Sequence, residues 1–297
     1  MKMANEIKKI DWNPFPKDTK IIDLSNQGIT EMNLKGCPPE LTIINLGDNQ
    51  ITEMNWEGCP PGLTEIYLYG NKIKEMIRKE YTSGLTIINL GDNQITEMNW
   101  EGCPPGLTEI YLYNNKIKEM NWKKYPPGLT TINLGDNQIT EMNWEGCPQG
   151  LNHINLGDNQ IKELNWKGCP LGLIHIHLSS NQITELNWEG CPPGLSYISL
   201  ADNKITEMNW KYVPWDLKFL FNRELSNIYN EYKKNRDNIP DLPYQCIVDE
   251  HKAFIDELTS TFLLPPKISG FNSPYYKYKL YENGGISYRD AMKEMTL

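Results

Sequence analysis

The chain has 297 residues, 39% of them hydrophobic, enough to build a continuous core. No apolar run approaches the ~20 residues of a membrane span. The N-terminus MKMANEIKKIDWNPFPKD lacks an apolar h-region, so neither an anchor nor a secretory signal is expected. A net charge of -9 with no basic patch argues against nucleic acid and against an anionic membrane as partners.

Residues 1–18 are expected to form an N-terminal cap in which Trp12 and Phe15 cover an otherwise open end. From there the chain is periodic. A leucine returns every 22 residues, at Leu41, Leu63, Leu85, Leu107, Leu129, Leu151, Leu173 and Leu195, and self-similarity at such a period means stacked repeats. Nine repeats are expected over residues 19–214, the first (19–40) being degenerate, with Gln27 where the others have Asn.

Within a repeat the pattern is L-x-x-I-x-L-x-x-N-x-I, as in Leu41, Ile44, Leu46, Asn49 and Ile51. Period-two alternation makes a short strand that sends Ile44 and Leu46 inward and Ile43, Asn45 and Gly47 outward. The Asn amide, from Asn49 to Asn203, is placed to satisfy backbone groups of the neighbouring turn. The second half, M-N-W-x-G-C-P-P-G, has Pro and Gly but no helical period, and reads as an extended or polyproline-like return.

The pattern resembles the leucine-rich repeat family. That resemblance implies an α/β solenoid, a horseshoe with a parallel concave β-sheet. The return segment looks like that of short bacterial Leu-Pro repeats. G-C-P-P-G-L-T followed by L-G-D-N is also similar to the 22-residue FNIP-type repeats of amoebae and their large DNA viruses, without the Phe-Asn-Ile-Pro signature.

Several columns then follow the period. Residues 41–84 and 85–128 are nearly identical, as if a two-repeat unit had been doubled. Six of the seven cysteines (Cys37, Cys59, Cys103, Cys147, Cys169, Cys191) share one slot, the spacing of repetition and not of C-x-x-C ligation. With no N-x-S/T sequon, this favours a reducing, cytoplasmic compartment. The slot after the Trp alternates Lys35, Glu57, Lys79, Glu101, Lys123, Glu145, Lys167, Glu189, Lys211, which is expected to be a surface charge ladder. Trp56, Trp100, Trp122, Trp144, Trp166, Trp188 and Trp210 form an aromatic column expected to pack as a core flank.

Identity varies mainly at the outward strand positions. One half carries Tyr67, Tyr69, Tyr111 and Tyr113 beside Gly-bearing strands expected to leave grooves. The other carries His153, His175, His177 and Tyr197. These eight are the candidate partner-binding residues. No Cys or carboxylate lies among the histidines to complete a metal site, and no P-loop, nucleophile elbow or paired-carboxylate cleft is present, so no cofactor, metal or enzymatic activity is expected.

Residues 215–297 depart from the repeat. Leu217, Leu220, Phe221, Leu225, Ile228 and Tyr232, then Ile247, Phe254, Ile255, Leu258 and Phe262, stand at helical spacing, so a helical C-terminal cap is expected. The function expected is non-enzymatic protein binding on the concave face. The alternative is an adaptor that recruits ubiquitin or degradation machinery through the C-terminal segment. Cys246 and Asp249 lack the spacing of the catalytic cysteines attached to bacterial repeat proteins.

Overall fold

The computed structural model describes residues 9–75, 84–209 and 218–220. The chain divides into two compact units, Met1–Ile117 with Asn121–Thr130, and Lys118–Met120 with Thr131–Leu297.

The first unit contains β1 (Ile21–Asp23), β2 (Ile43–Asn45), β3 (Glu65–Tyr67), β4 (Ile87–Asn89) and β5 (Glu109–Tyr111), paired in parallel in chain order. Each pair is in register at one repeat's offset, so Ile22, Ile44, Ile66, Ile88 and Ile110 line up and are all buried. The strands last only three residues because the pattern then demands a turn. The ladder nevertheless continues past them, through Leu46 N–H to the Tyr67 carbonyl and Leu68 N–H to the Asn89 carbonyl, both at 2.7 Å.

The second unit contains β6 (Thr131–Asn133), β7 (His153–Asn155), β8 (His175–His177), β9 (Glu185–Asn187), β10 (Tyr197–Ser199), β11 (Glu207–Asn209) and β12 (Lys218–Leu220). The main sheet runs β6-β7-β8-β10-β12, all parallel. On the return side β9 pairs in parallel with β11. There the extended path becomes true strand.

Strand β12 corrects the expectation that a helix opens at residue 215. Tyr197 pairs with Lys218, one residue short of the repeat, so the sheet gains a further strand. Leu217, Phe219 and Phe221 also alternate at period two, and the free edge of β10 selects that period over the helical one. The other residues assigned to the helical cap lie outside the described residues.

The Asn slot works as its spacing predicts. Asn49 donates its amide to the carbonyls of Leu24 (2.9 Å), Leu46 (2.9 Å) and Gly47 (3.0 Å), while its Oδ1 accepts Ile29 N–H at 2.9 Å. Asn71, Asn93, Asn159, Asn181 and Asn203 repeat the scheme, one turn reaching back to the turn before it. The residue before this slot, held by Asn or, in the first repeat, by Gln27, has positive φ in every described turn, from Asn26 (56°) through Asp48 (52°) and Gly70 (64°) to Asp202 (52°). Only residues that tolerate the left-handed region serve there, which is why the motif reads Asp-Asn.

The tryptophans pack inside. Trp100, Trp122, Trp144, Trp166 and Trp188 are each no more than 3% exposed, and the pairs Trp100–Trp122 and Trp166–Trp188 stack with ring centroids 6.3 Å apart. Several indoles reach the next turn: Trp144 Nε1 donates to the Asn165 carbonyl at 2.6 Å and Trp166 Nε1 to that of Asn187 at 2.9 Å. Trp12 does the same to Asn33 at 3.0 Å, so the N-terminal segment enters the ladder as one more half-turn.

Among the described residues the charge column is exposed and loosely paired. Lys35 meets Glu57 at 3.4 Å as its spacing predicts, but Glu101 takes Lys124 (2.9 Å), the neighbour of the expected Lys123. Both members of each pair are at least two-thirds exposed, where an ion pair stabilises little. Glu101→Lys is therefore expected to lower the melting temperature by no more than ~2 °C, less in high salt. Thermal melts at two salt concentrations check this, and a large drop would mean a buried ladder.

Candidate functional site, the open face of the sheet

The outward positions of the strands form a face of three columns, the side expected to be concave. On the first unit Tyr67 and Tyr111 stand in one column with Asn89 between them by register. The hydroxyls of Tyr67 and Tyr111 donate to Glu65 Oε2 (2.7 Å) and Glu109 Oε2 (2.8 Å) two residues earlier on the same strands. Tyr69 and Tyr113 lie flat over the preceding turn, where a methyl group on Gly47 or Gly91 would overlap their rings.

That arrangement changes the expectation of grooves. Gly47 and Gly91 do make space, but the next turn's tyrosine fills it, and all four Tyr side chains are at most 6% exposed. Absence of a Cβ is a packing requirement here. The side chains left partly exposed belong to the first column, among them Ile43, Glu65 and Glu109.

On the second unit the equivalent positions hold Thr131, His153, His175 and Tyr197. The His153 and His175 rings meet edge-on at 4.4 Å, and His175 meets Tyr197 at 4.3 Å. His177, one column over, lies above Gly157 as Tyr113 lies above Gly91. Burial holds His175 and His177 down to about 4, and His153 below its ordinary value, because a charged imidazole would lose its water; the neighbouring His153 adds to the effect at His175. The row is neutral near pH 7. Among the described residues no group of three or more His, Cys, Asp or Glu side chains is placed to hold a metal ion.

The cysteine column sits where burial disfavours the thiolate. Burial pushes the thiols up, to about 11 at Cys37 and about 12 at Cys103 and Cys191, so the reactive thiolate is scarce. No described helix is long and apolar enough to cross a membrane.

A parallel sheet climbing by 22 residues per turn, an inward Leu/Ile set and an Asn closing each strand define the leucine-rich-repeat solenoid. Solved structures carry the same fold. YopM from Yersinia enterocolitica WA-314 matches with TM-score 0.52 and 24% identity, over 65% of this chain and 39% of that one. The functional domain of InlJ from Listeria monocytogenes, described as including a cysteine ladder, matches with TM-score 0.51 and 20% identity over 68% and 47%. A TLR13–ssRNA13 complex gives 0.55 and 23% over 67% and 32%. The chain thus spans less than half the length of these structures. No family profile and no curated protein sequence matches it.

Of the eight candidate residues, Tyr67, Tyr69, Tyr111, Tyr113 and His175 are buried in the packing between turns, and His153, His177 and Tyr197 are partly exposed. Sequence reasoning missed Glu65 and Glu109, which hold the tyrosine hydroxyls. Their signal was present: a Glu stands two residues before the first Tyr of both pairs.

Proposed function

We propose that the chain is a non-enzymatic protein-binding module whose partner docks on the open face of the sheet. One observation carries the reading. Core, Asn, left-handed and Trp positions repeat almost unchanged, whereas the outward strand positions change chemistry from turn to turn, from Ile and Glu on β2 to β5 to Thr, His and Tyr on β6 to β10. Packing explains the constant positions. It leaves the partly exposed first column, with Glu65, Glu109, His153 and Tyr197, for recognition, and Tyr67, Tyr69, Tyr111, Tyr113, His175 and His177 as its support.

The negative charge favours a protein partner over nucleic acid. The six cysteines among the described residues are free thiols, which fits a reducing compartment. Residues invoked for an adaptor role lie outside the described residues.

With a partner isolated by affinity purification, titration of purified components is the test. His153→Ala with Tyr197→Ala is expected to weaken binding at least tenfold, ~1.4 kcal/mol, with the melting transition nearly unchanged. Tyr67→Ala with Tyr111→Ala is expected to weaken binding as well, but also to lower stability, because those rings are buried. Unchanged affinity in both would remove the open face as the binding surface.

A further inference from the structure

We propose that the cysteine column binds soft monovalent metal ions of the copper(I) class, each held in a line between the sulfurs of two adjacent turns. One site is Cys37 with Cys59 in the first unit, and the other is Cys169 with Cys147 or Cys191 in the second.

The column occupies one slot of the 22-residue repeat, but it is interrupted. Tyr81 holds the slot between Cys59 and Cys103, and Tyr125 the slot between Cys103 and Cys147. Cysteines therefore occupy adjacent turns only at Cys37 and Cys59 and along Cys147, Cys169 and Cys191. Cys103 stands alone. Each described cysteine of these two groups sits in the same kind of turn: Cys59, Cys147, Cys169 and Cys191 donate their N–H to the carbonyl of the Trp three residues earlier at 2.9 to 3.0 Å, and Cys37 to that of Leu34 at 3.1 Å. Equivalent side chains thus leave the stack in one direction.

The turns press closely together at this slot. Cys37 Sγ lies 3.7 Å from the Gly58 carbonyl, in the peptide that joins Gly58 to Cys59. In the second unit a methyl group built on Gly168 or Gly190, the residues before Cys169 and Cys191, would stand 3.6 or 3.7 Å from the Cβ of Trp144 or Trp166 one turn back. Six residues before each of these cysteines Glu163 pairs in parallel with Glu185, and β9 pairs with β11, so the return side there keeps strand spacing. The thiols also sense one another: after burial, Cys59 pushes Cys37 up, and Cys147 and Cys191 push up Cys169, whereas Cys103 is raised by burial alone.

Spacing selects the metal. Turns at strand spacing are ~4.8 Å apart, close to two metal–sulfur bonds of ~2.3 Å set end to end. Among the described residues no three His, Cys, Asp or Glu side chains are grouped to hold one ion, so the closed tetrahedral shell of structural zinc is not offered. A pair of thiolates in a line suits copper(I). Binding breaks two S–H bonds and forms two metal–sulfur bonds, transfers no electron, and sends two protons to solvent. Cys37, Cys59 and Cys191 are partly exposed and give the ion its way in.

Copper(I) is titrated anaerobically into the reduced full-length protein in competition with bicinchoninate, a chromophoric copper(I) chelator, and X-ray absorption of the loaded protein reads the coordination. The parent is expected to hold at least one ion per unit, each with two sulfur neighbours. Cys59→Ala with Cys169→Ala leaves Cys37, Cys103, Cys147 and Cys191 with no cysteine in an adjacent turn, and should lose at least tenfold in affinity at both sites. Cys103→Ala with Cys191→Ala removes as many thiols but keeps Cys37 beside Cys59 and Cys147 beside Cys169, and should retain both ions. Release of two protons per ion makes affinity rise roughly a hundredfold per pH unit, against tenfold for a single thiol. Coordination number and pH slope are read on the parent and do not depend on how the variants fold. Copper(I) left with the chelator, equal losses in the two double variants, three or four sulfur neighbours, a tenfold pH slope, or zinc(II) bound as tightly would each overturn the proposal.

Discussion

Trp144→Ala is expected to destabilise the protein by about 3 to 5 kcal/mol, the range for deleting a large buried aromatic ring. Trp144 is 1% exposed and its indole donates to the Asn165 carbonyl at 2.6 Å, so the turn above rests on it. Removing the ring leaves both a cavity and an unmet carbonyl between adjacent turns. In a solenoid, where each turn touches only its neighbours, that damages one interface with nothing behind it to compensate. Chemical denaturation should show the midpoint displaced and the transition broadened or split. A loss below about 1 kcal/mol would mean that the tryptophans merely flank the core.

Acid should unfold the second unit through its histidines. The folded-state values of His175 and His177, about 4, lie below the ordinary imidazole value, so the unfolded chain takes up protons more readily. Stability contributed by the neutral rings is present above roughly pH 6.5 and is lost as pH falls from there toward 4. Ideal linkage for two such groups amounts to about 4 kcal/mol at pH 5; with His177 partly exposed, about 2 kcal/mol is expected. His153 and Tyr197 flank His175, and no carboxylate holds an outward position on β7, β8 or β10 to stabilise the charged form. His175→Thr with His177→Asn, the residues found at equivalent positions of β6, should flatten the pH dependence of the melting temperature between pH 7 and 5. A parent protein whose melting point does not move over that interval would show the rings to be solvated.

Much of this architecture could be read from the chain because repetition averages out local ambiguity. A single Leu-x-x-Ile-x-Leu run could belong to several structures, but eight leucines in phase admit one. The Asn column and the buried tryptophans followed from the same phase. What escaped was information lying between columns. Tyr69 filling the space over Gly47 joins two repeats, and neither shows it alone. The left-handed position was visible only as a restriction, since Asp, Asn, Gly and Ser are its sole occupants from Asn26 to Asp202. Lys218–Leu220 was misassigned because its apolar residues satisfy two periods and a neighbouring strand edge decided between them. Trp12 stands 22 residues before the buried Leu34, so its place in the ladder could have been found by extending the phase backwards.

The Asn hydrogen bonds that reach back one turn have a mechanical consequence. Each of the described sets fastens a turn to the one before it and none skips a turn, so tension applied between the ends falls on one seam at a time. The chain should part like a zipper, each released turn of 22 residues adding ~70–80 Å of slack before the next seam is loaded. A molecule built this way yields gradually under pull, shortening its sheet from an end while the remaining turns keep their register.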